Sequence, residues 1–128
     1  MTMPNFGPAA AWGDESGTTA VEFAIVAPMF ILLSIGLIYL CLGLYAVSSL
    51  QYAAEEGARC ASVKTTVCAD SASTVSYAKS HYYGAGTAPT FSYSATGCGH
   101  TVSATLSYVV DLGLTTVTVP LSASACFP

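Results

Sequence analysis

From Phe23 to Ala54 the chain carries no formal charge, and Phe23 to Val47 is apolar almost throughout. About 20 such residues cross the hydrocarbon core of a bilayer as a helix. Lipid offers no partner to free backbone N–H and C=O groups, so a single segment of this kind has to be helical. One acid, Glu22, stands at the mouth of the run, five residues after Gly17. A carboxylate left uncompensated at that depth costs several kcal/mol, which makes an intramembrane acid a functional hypothesis from the outset.

The helical pattern does not stop at the membrane limit. Leu50, Ala53, Ala54, Gly57, Ala58 and Ala61 continue a stripe of period 3.6. Glu55 and Arg59 are spaced for a helical ion pair. The pattern predicts one helix over 18–63, with a membrane segment at about 23–47 and an amphipathic second half. At about 1.5 Å per residue it is near 65 Å long, twice a membrane thickness.

The rest of the composition narrows the function. At 128 residues there is room for one small domain besides such a helix. Charged residues make up 8% of the chain, about a third of the soluble norm. Arg59, Lys64 and Lys79 are its only fixed cations. Nucleic acid is therefore excluded as a partner, and so is polybasic lipid binding. Membrane lipid enters instead as the solvent of the apolar run.

Residues 1–17 hold Pro4, Gly7, Pro8, Gly13 and Gly17 and show no apolar period. They read as a disordered leader. Its charges are Asp14 and Glu15, and the apolar run after it is too long for a secretory signal.

Residues 64–128 read as a small head. Asp70 can cap a short helix reaching Tyr83, with Ala72, Val75, Ala78 and Tyr82 on one face. Three stretches of period two follow, around Phe91–Ala95, Val102–Val110 and Val117–Ala125. They predict a three-stranded antiparallel sheet with one buried face. Asp111 to Leu114 supplies the turn between the last two strands, and Pro120 confines the last strand to an edge. The fold class is α+β: a long amino-terminal helix, then a disulfide-linked head with a short helix and three strands.

Cys41 lies inside the apolar run, where a thiol behaves as a small hydrophobe. Cys60, Cys68, Cys98 and Cys126 all follow it, which argues two disulfides and an oxidising compartment. Three pairings are possible. If the last hairpin turns between Leu112 and Gly113, Cys126 falls opposite Gly99, one step from Cys98. That favours Cys98–Cys126 and leaves Cys60–Cys68. The positive charges after the run would by themselves place the head in the cytoplasm. The four cysteines place it outside, and they are the stronger signal.

Gly17-Thr18-Thr19-Ala20-Val21-Glu22 admits two readings. Thr19 and Glu22 match a capping box, in which case Glu22 only starts a helix. The other reading takes the parts together: a leader ending in Gly17, an acid five residues on, a membrane-length helix and a disulfide-linked head. This layout resembles a class III prepilin. The stretch Gly-Thr-Thr-Ala-Val-Glu-Phe-Ala-Ile-Val-Ala-Pro is similar to the start of the TadE-like pseudopilins of the Tad (tight adherence) pilus. Glu55-Glu56-Gly57-Ala58-Arg59 is similar to the run that follows the membrane helix in that family. The resemblance spans roughly 13–62.

It implies a prepilin peptidase that cuts between Gly17 and Thr18 on the cytoplasmic side. Glu22 would then face the terminal ammonium of a neighbouring pilin subunit. Ala20, Ala24, Ala27 and Ser34 would let helices approach closely, and Pro28 would kink or locally melt the helix during extraction. The implied partners are other pilins, the peptidase and the inner-membrane assembly platform. The implied location is the bacterial inner membrane, then a pilus or the cell surface. A head of this size points to a minor pilin or pseudopilin. The competing class is an uncleaved, single-pass anchored ectodomain that acts as a binding module.

Other chemistry is sparse. Cys98-Gly99-His100 lacks a second half with ligand spacing, and His81 is the only other histidine. No phosphate loop and no nucleophile–base pairing is legible. The expectation is no enzyme, no metal and no cofactor.

Overall fold

The computed structural model describes residues 16–128. The leader expected over 1–17 therefore lies outside the described residues except for its last two. Helix α1 (Ser16–Val63) and helix α2 (Ser71–Ser80) are followed by strands β1 (Thr90–Thr96), β2 (Gly99–Asp111) and β3 (Thr116–Phe127). The chain divides into two compact units, one ending at Leu37 and the other covering Ile38–Pro128. The fold is α+β, with the expected sheet of three antiparallel strands in the order β1-β2-β3.

In the second unit the sheet-facing stripe of α1 is built mainly from small residues. Ala46, Ser49, Leu50, Ala53, Ala54, Gly57, Ala58, Cys60 and Ala61 are buried. Of these, Ala46, Leu50, Ala53, Ala54 and Ala58 join Ala78 of α2, Phe91 of β1, Val102, Ala104, Leu106 and Tyr108 of β2, and Ala123 of β3 in one core. Alanines bring the backbone of α1 close to the sheet, and Leu50 and Val102 supply the bulk. Burying apolar surface at about 25 cal/mol per Å² is what holds these layers together.

Helix α2 starts where expected. Asp70 Oδ1 accepts from Ser73 N at 2.7 Å and Ser73 Oγ accepts from Asp70 N at 3.1 Å, closing a reciprocal cap. Its buried line is Thr74 and Ala78, with Ala72 exposed, contrary to the expected face. Thr74 tolerates burial because its hydroxyl donates to Asp70 O at 2.8 Å. The helix ends at Ser80, three residues short of Tyr83.

The register of β2 and β3 differs from the turn-centred estimate. Cys126 faces Thr101, two residues from Gly99, because the connection spans Leu112–Thr115 and is closed by Leu112 N donating to Thr115 O at 3.0 Å. Moving the turn centre by one residue moves each partner by two. A shift of two keeps every side chain on its original face. Pro120, opposite Ser107 on edge strand β3, therefore sits where a missing N–H is harmless.

Two disulfides form, Cys60–Cys68 with Cα atoms 5.8 Å apart and Cys98–Cys126 with Cα atoms 6.4 Å apart. Cys41 is free and exposed. Cys98 occupies the two-residue turn between β1 and β2, after Gly97 at φ +70°. A glycine at the first of two turn positions suits the twist of a hairpin. Gly99, at φ +132°, is doubly required, because a Cβ there would meet the Phe127 carbonyl oxygen at 2.6 Å.

Candidate functional site

The amino-terminal part of α1 carries the residues that the sequence singles out. In the first unit Val21, Phe23, Ile25, Val26, Met29 and Phe30 are all exposed, and apolar side chains point in every direction. A helix that is apolar all round belongs inside a large core or a membrane. Among the described residues no core covers it: the span is long and apolar enough to cross a membrane, and its most apolar window is wholly uncovered.

The capping reading of Thr19 and Glu22 does not survive. Helix α1 begins at Ser16, and its first turn holds no acid. Thr19 and Glu22 both lie inside the helix, so the glutamate is not where an N-terminal box needs it. Among the described residues Glu22 makes no side-chain hydrogen bond, and its side chain is exposed.

Helix geometry sorts the remaining residues. At about 100° per residue, Ala20, Ala24, Ala27 and Ser34 share one face, and Thr18 and Glu22 lie on the opposite one. Thr18 and Glu22 are one turn apart, so an ammonium at Thr18 and the carboxylate would be neighbours. A Cβ on Gly17 would meet nothing within 4 Å, so space alone does not demand glycine there. Pro28 sits within an unbroken α1. It lacks the N–H that would bond to the Ala24 carbonyl. Ser34 Oγ donates to Phe30 O at 2.8 Å, so the hydroxyl is satisfied within its own helix.

In the head, polar side chains bond to one another and to the backbone. Glu55 accepts from Gln51 Nε2 at 3.1 Å in place of the expected Arg59 partner. Gln51, Glu55, Glu56 and Arg59 line an open groove of about 690 Å³ against Ala125–Phe127 of β3. Tyr93 Oη and His100 Nδ1 share a hydrogen bond of 2.6 Å, which places His100 in a structural pair. Lys64 Nζ donates to Tyr77 Oη at 3.0 Å, and that contact raises the lysine pKa. The Ser73 backbone amide holds the Asp70 carboxyl below its ordinary value. Burial pushes the Tyr82 phenol up.

Several positions matter more than the sequence indicates. Ser49 is buried on α1 and accepts from Tyr83 N at 2.8 Å, which pins the chain after α2. Tyr39 Oη donates to Asp111 O at 3.0 Å, and Tyr108 Oη donates back to Tyr39 O at 3.4 Å. Tyr39 precedes Gly43, Ala46 and Leu50 at helical spacing, and that spacing was the available signal.

Residues 17–59 match the family model described as TadE-like protein. No curated protein and no solved structure matches the chain. The matched segment runs from the glycine before Thr18 to Arg59, and with the apolar helix it fits a pilin-like subunit.

Proposed function

We propose that this chain is a minor pilin or pseudopilin that enters a Tad-type pilus through the amino-terminal half of α1. The observation that carries the proposal is the TadE-like match at 17–59 over an uncovered apolar helix with one acid, Glu22, near its start. A prepilin peptidase cuts between Gly17 and Thr18 and frees an ammonium at Thr18. Before assembly the chain spans the inner membrane, and the oxidised head lies outside the cytoplasm.

Before assembly the freed ammonium and Glu22 stand at the cytoplasmic mouth of the apolar run, within reach of water. Assembly draws them out of water and pairs them between neighbours, which sets the axial register of the subunits. The small face of Ala20, Ala24 and Ala27 lies opposite Glu22. One neighbour packs on the alanines and another meets the carboxylate. Contacts between unlike faces propagate into a helical filament rather than closing into a dimer. Pro28 softens the helix in the middle of this packed region, which eases its passage from lipid into the filament. The assembly platform receives the subunit from the membrane.

The test is Glu22→Gln, which keeps shape and helix and removes only the charge. Leaving a buried ammonium without its partner costs about 3–5 kcal/mol. The variant should be inserted and cleaved at normal levels and be absent from sheared pili. Normal piliation would reject the pairing. An uncleaved wild-type chain would favour the anchored ectodomain instead.

A further inference from the structure

Strands β2 and β3 are almost twice as long as β1, which pairs only with Gly99–Thr105. Leu106–Asp111 and Thr116–Leu121 therefore form a two-stranded ribbon that overhangs the sheet by about 20 Å at 3.3 Å per residue. The ribbon is unlike an ordinary exposed turn. Leu114 is 100% exposed, and Val109, Leu112, Val117 and Val119 are also exposed. Turn positions normally take Gly, Asn, Asp, Ser or Pro. No lysine or arginine lies in the ribbon. Its one charge, Asp111, has Oδ1 occupied by Gly113 N at 2.8 Å.

The position of this tip is set by α1. Tyr39 Oη holds the Asp111 carbonyl, Tyr108 Oη returns a bond to Tyr39 O, and the Tyr108 ring lies against Gly43. Tyr39 is about 12 Å back along the apolar run from Val47. Beside it Ile38, Leu40, Leu42, Leu44 and Tyr45 are exposed. About 20 residues counted from Phe23 fill a hydrocarbon core and end near Leu42. Asp111 is thereby held beside Tyr39, and Leu112 and Leu114 follow it within three residues.

We propose that the β2–β3 tip is a membrane-interface anchor, seated before assembly in the headgroup layer of the bilayer that α1 spans. The inference rests on the membrane-inserted state proposed above. Leu112 and Leu114 face the acyl boundary, and Tyr39 and Tyr45 take the interfacial depth that tyrosines favour. The tip fixes the depth of the head and must leave lipid when the subunit enters a filament.

The full chain is reconstituted in phosphatidylethanolamine–phosphatidylglycerol vesicles, with the single tryptophan removed as Trp12→Phe. Leu114→Trp, Leu32→Trp and Val63→Trp are each introduced separately. Leu114 has no packing role, so its replacement leaves the fold intact. The Leu114→Trp signal should be quenched by lipid brominated near the headgroup and shielded from aqueous acrylamide. Val63→Trp should behave in the opposite way, and Leu32→Trp should respond to deep bromines. In the unsubstituted chain a carbene-bearing phospholipid should label the peptide containing Leu112 and Leu114, which controls for tryptophan's own taste for interfaces. If Leu32→Trp is quenched while Leu114→Trp is open to acrylamide, the tip is in water and the inference falls, with the membrane reading intact. Shielding of Leu114→Trp from both quenchers means that a second copy covers the tip, which also overturns it. Loss of quenching at Leu32→Trp sinks the membrane reading together with the inference.

Discussion

Gly57 lies where α1 packs tightly against both α2 and β2. A Cβ there would stand 2.9 Å from Ala78 Cβ and 3.3 Å from Val102 Cγ2. Carbon atoms in good contact are about 3.5–4.0 Å apart, so both approaches are repulsive. Neither neighbour can yield easily, because Ala78 and Val102 are fully buried. Two effects compete in Gly57→Ala. Replacing glycine within a helix gains about 1 kcal/mol. Forcing a methyl group into a filled core costs about 1–3 kcal/mol. The sum is a loss of about 1 kcal/mol, which lowers the melting temperature of a unit this size by about 4–8 °C. The assay is thermal unfolding of the full chain in detergent, followed by near-ultraviolet circular dichroism of the tyrosines with the disulfides intact. Gly36→Ala is the control, since a Cβ at Gly36 meets nothing within 4 Å. Adding Ala78→Gly to Gly57→Ala removes the tightest contact, so the pair should be less destabilising than the two single changes combined. A Gly57→Ala chain that melts at or above wild type would refute the close approach and show that helix propensity decides.

Gly17→Ala is expected to retain the leader, because the proposed peptidase accepts only a residue without a Cβ; intact mass of the wild type and variant recovered from cells decides it, and a wild type that retains Met1, as the variant does, rejects processing. Under native conditions dithiothreitol should reduce Cys98–Cys126, whose cysteines are exposed, before Cys60–Cys68, whose cysteines are buried. Differential alkylation and mass spectrometry read that order, and the reverse order contradicts the packing. The folded Asp70 carboxyl titrates below its unfolded value of about 3.9, so its stabilising effect is complete above that pH and is lost as pH falls through the lower, folded value. Acid unfolding of Asp70→Asn should therefore lack part of the wild-type loss of stability below about pH 4; identical acid profiles would show that the cap adds nothing.

Local rules carried much of this fold. The apolar run forces a helix because its backbone has no other partner in lipid, and Asp70 starts α2 because its side chain reaches the amide of Ser73. Period two placed the three strands, and hairpin arithmetic brought Cys98 near Cys126 although the turn centre was misplaced by one residue. These are contacts of short range or of simple periodicity, and a linear pattern encodes them. The start of α1 at Ser16 was not legible, because a capping box and a mid-helix Thr-x-x-Glu have the same spelling. Thr74 in place of Ala72 on the buried line of α2 was not legible either, since a threonine becomes a core residue only once its hydroxyl has found the Asp70 carbonyl. Val117 and Val119 are exposed although they continue the period-two pattern of β3, while Tyr108 opposite Val119 is buried, so alternation alone does not say which end of the strand is covered. Gly43 and Gly57 look alike in the sequence. Only the packed structure shows that Gly57 is squeezed between α2 and β2, and that the turn after β2 is fastened to Tyr39. Those facts depend on which distant segments meet, and sequence periodicity carries no information about that.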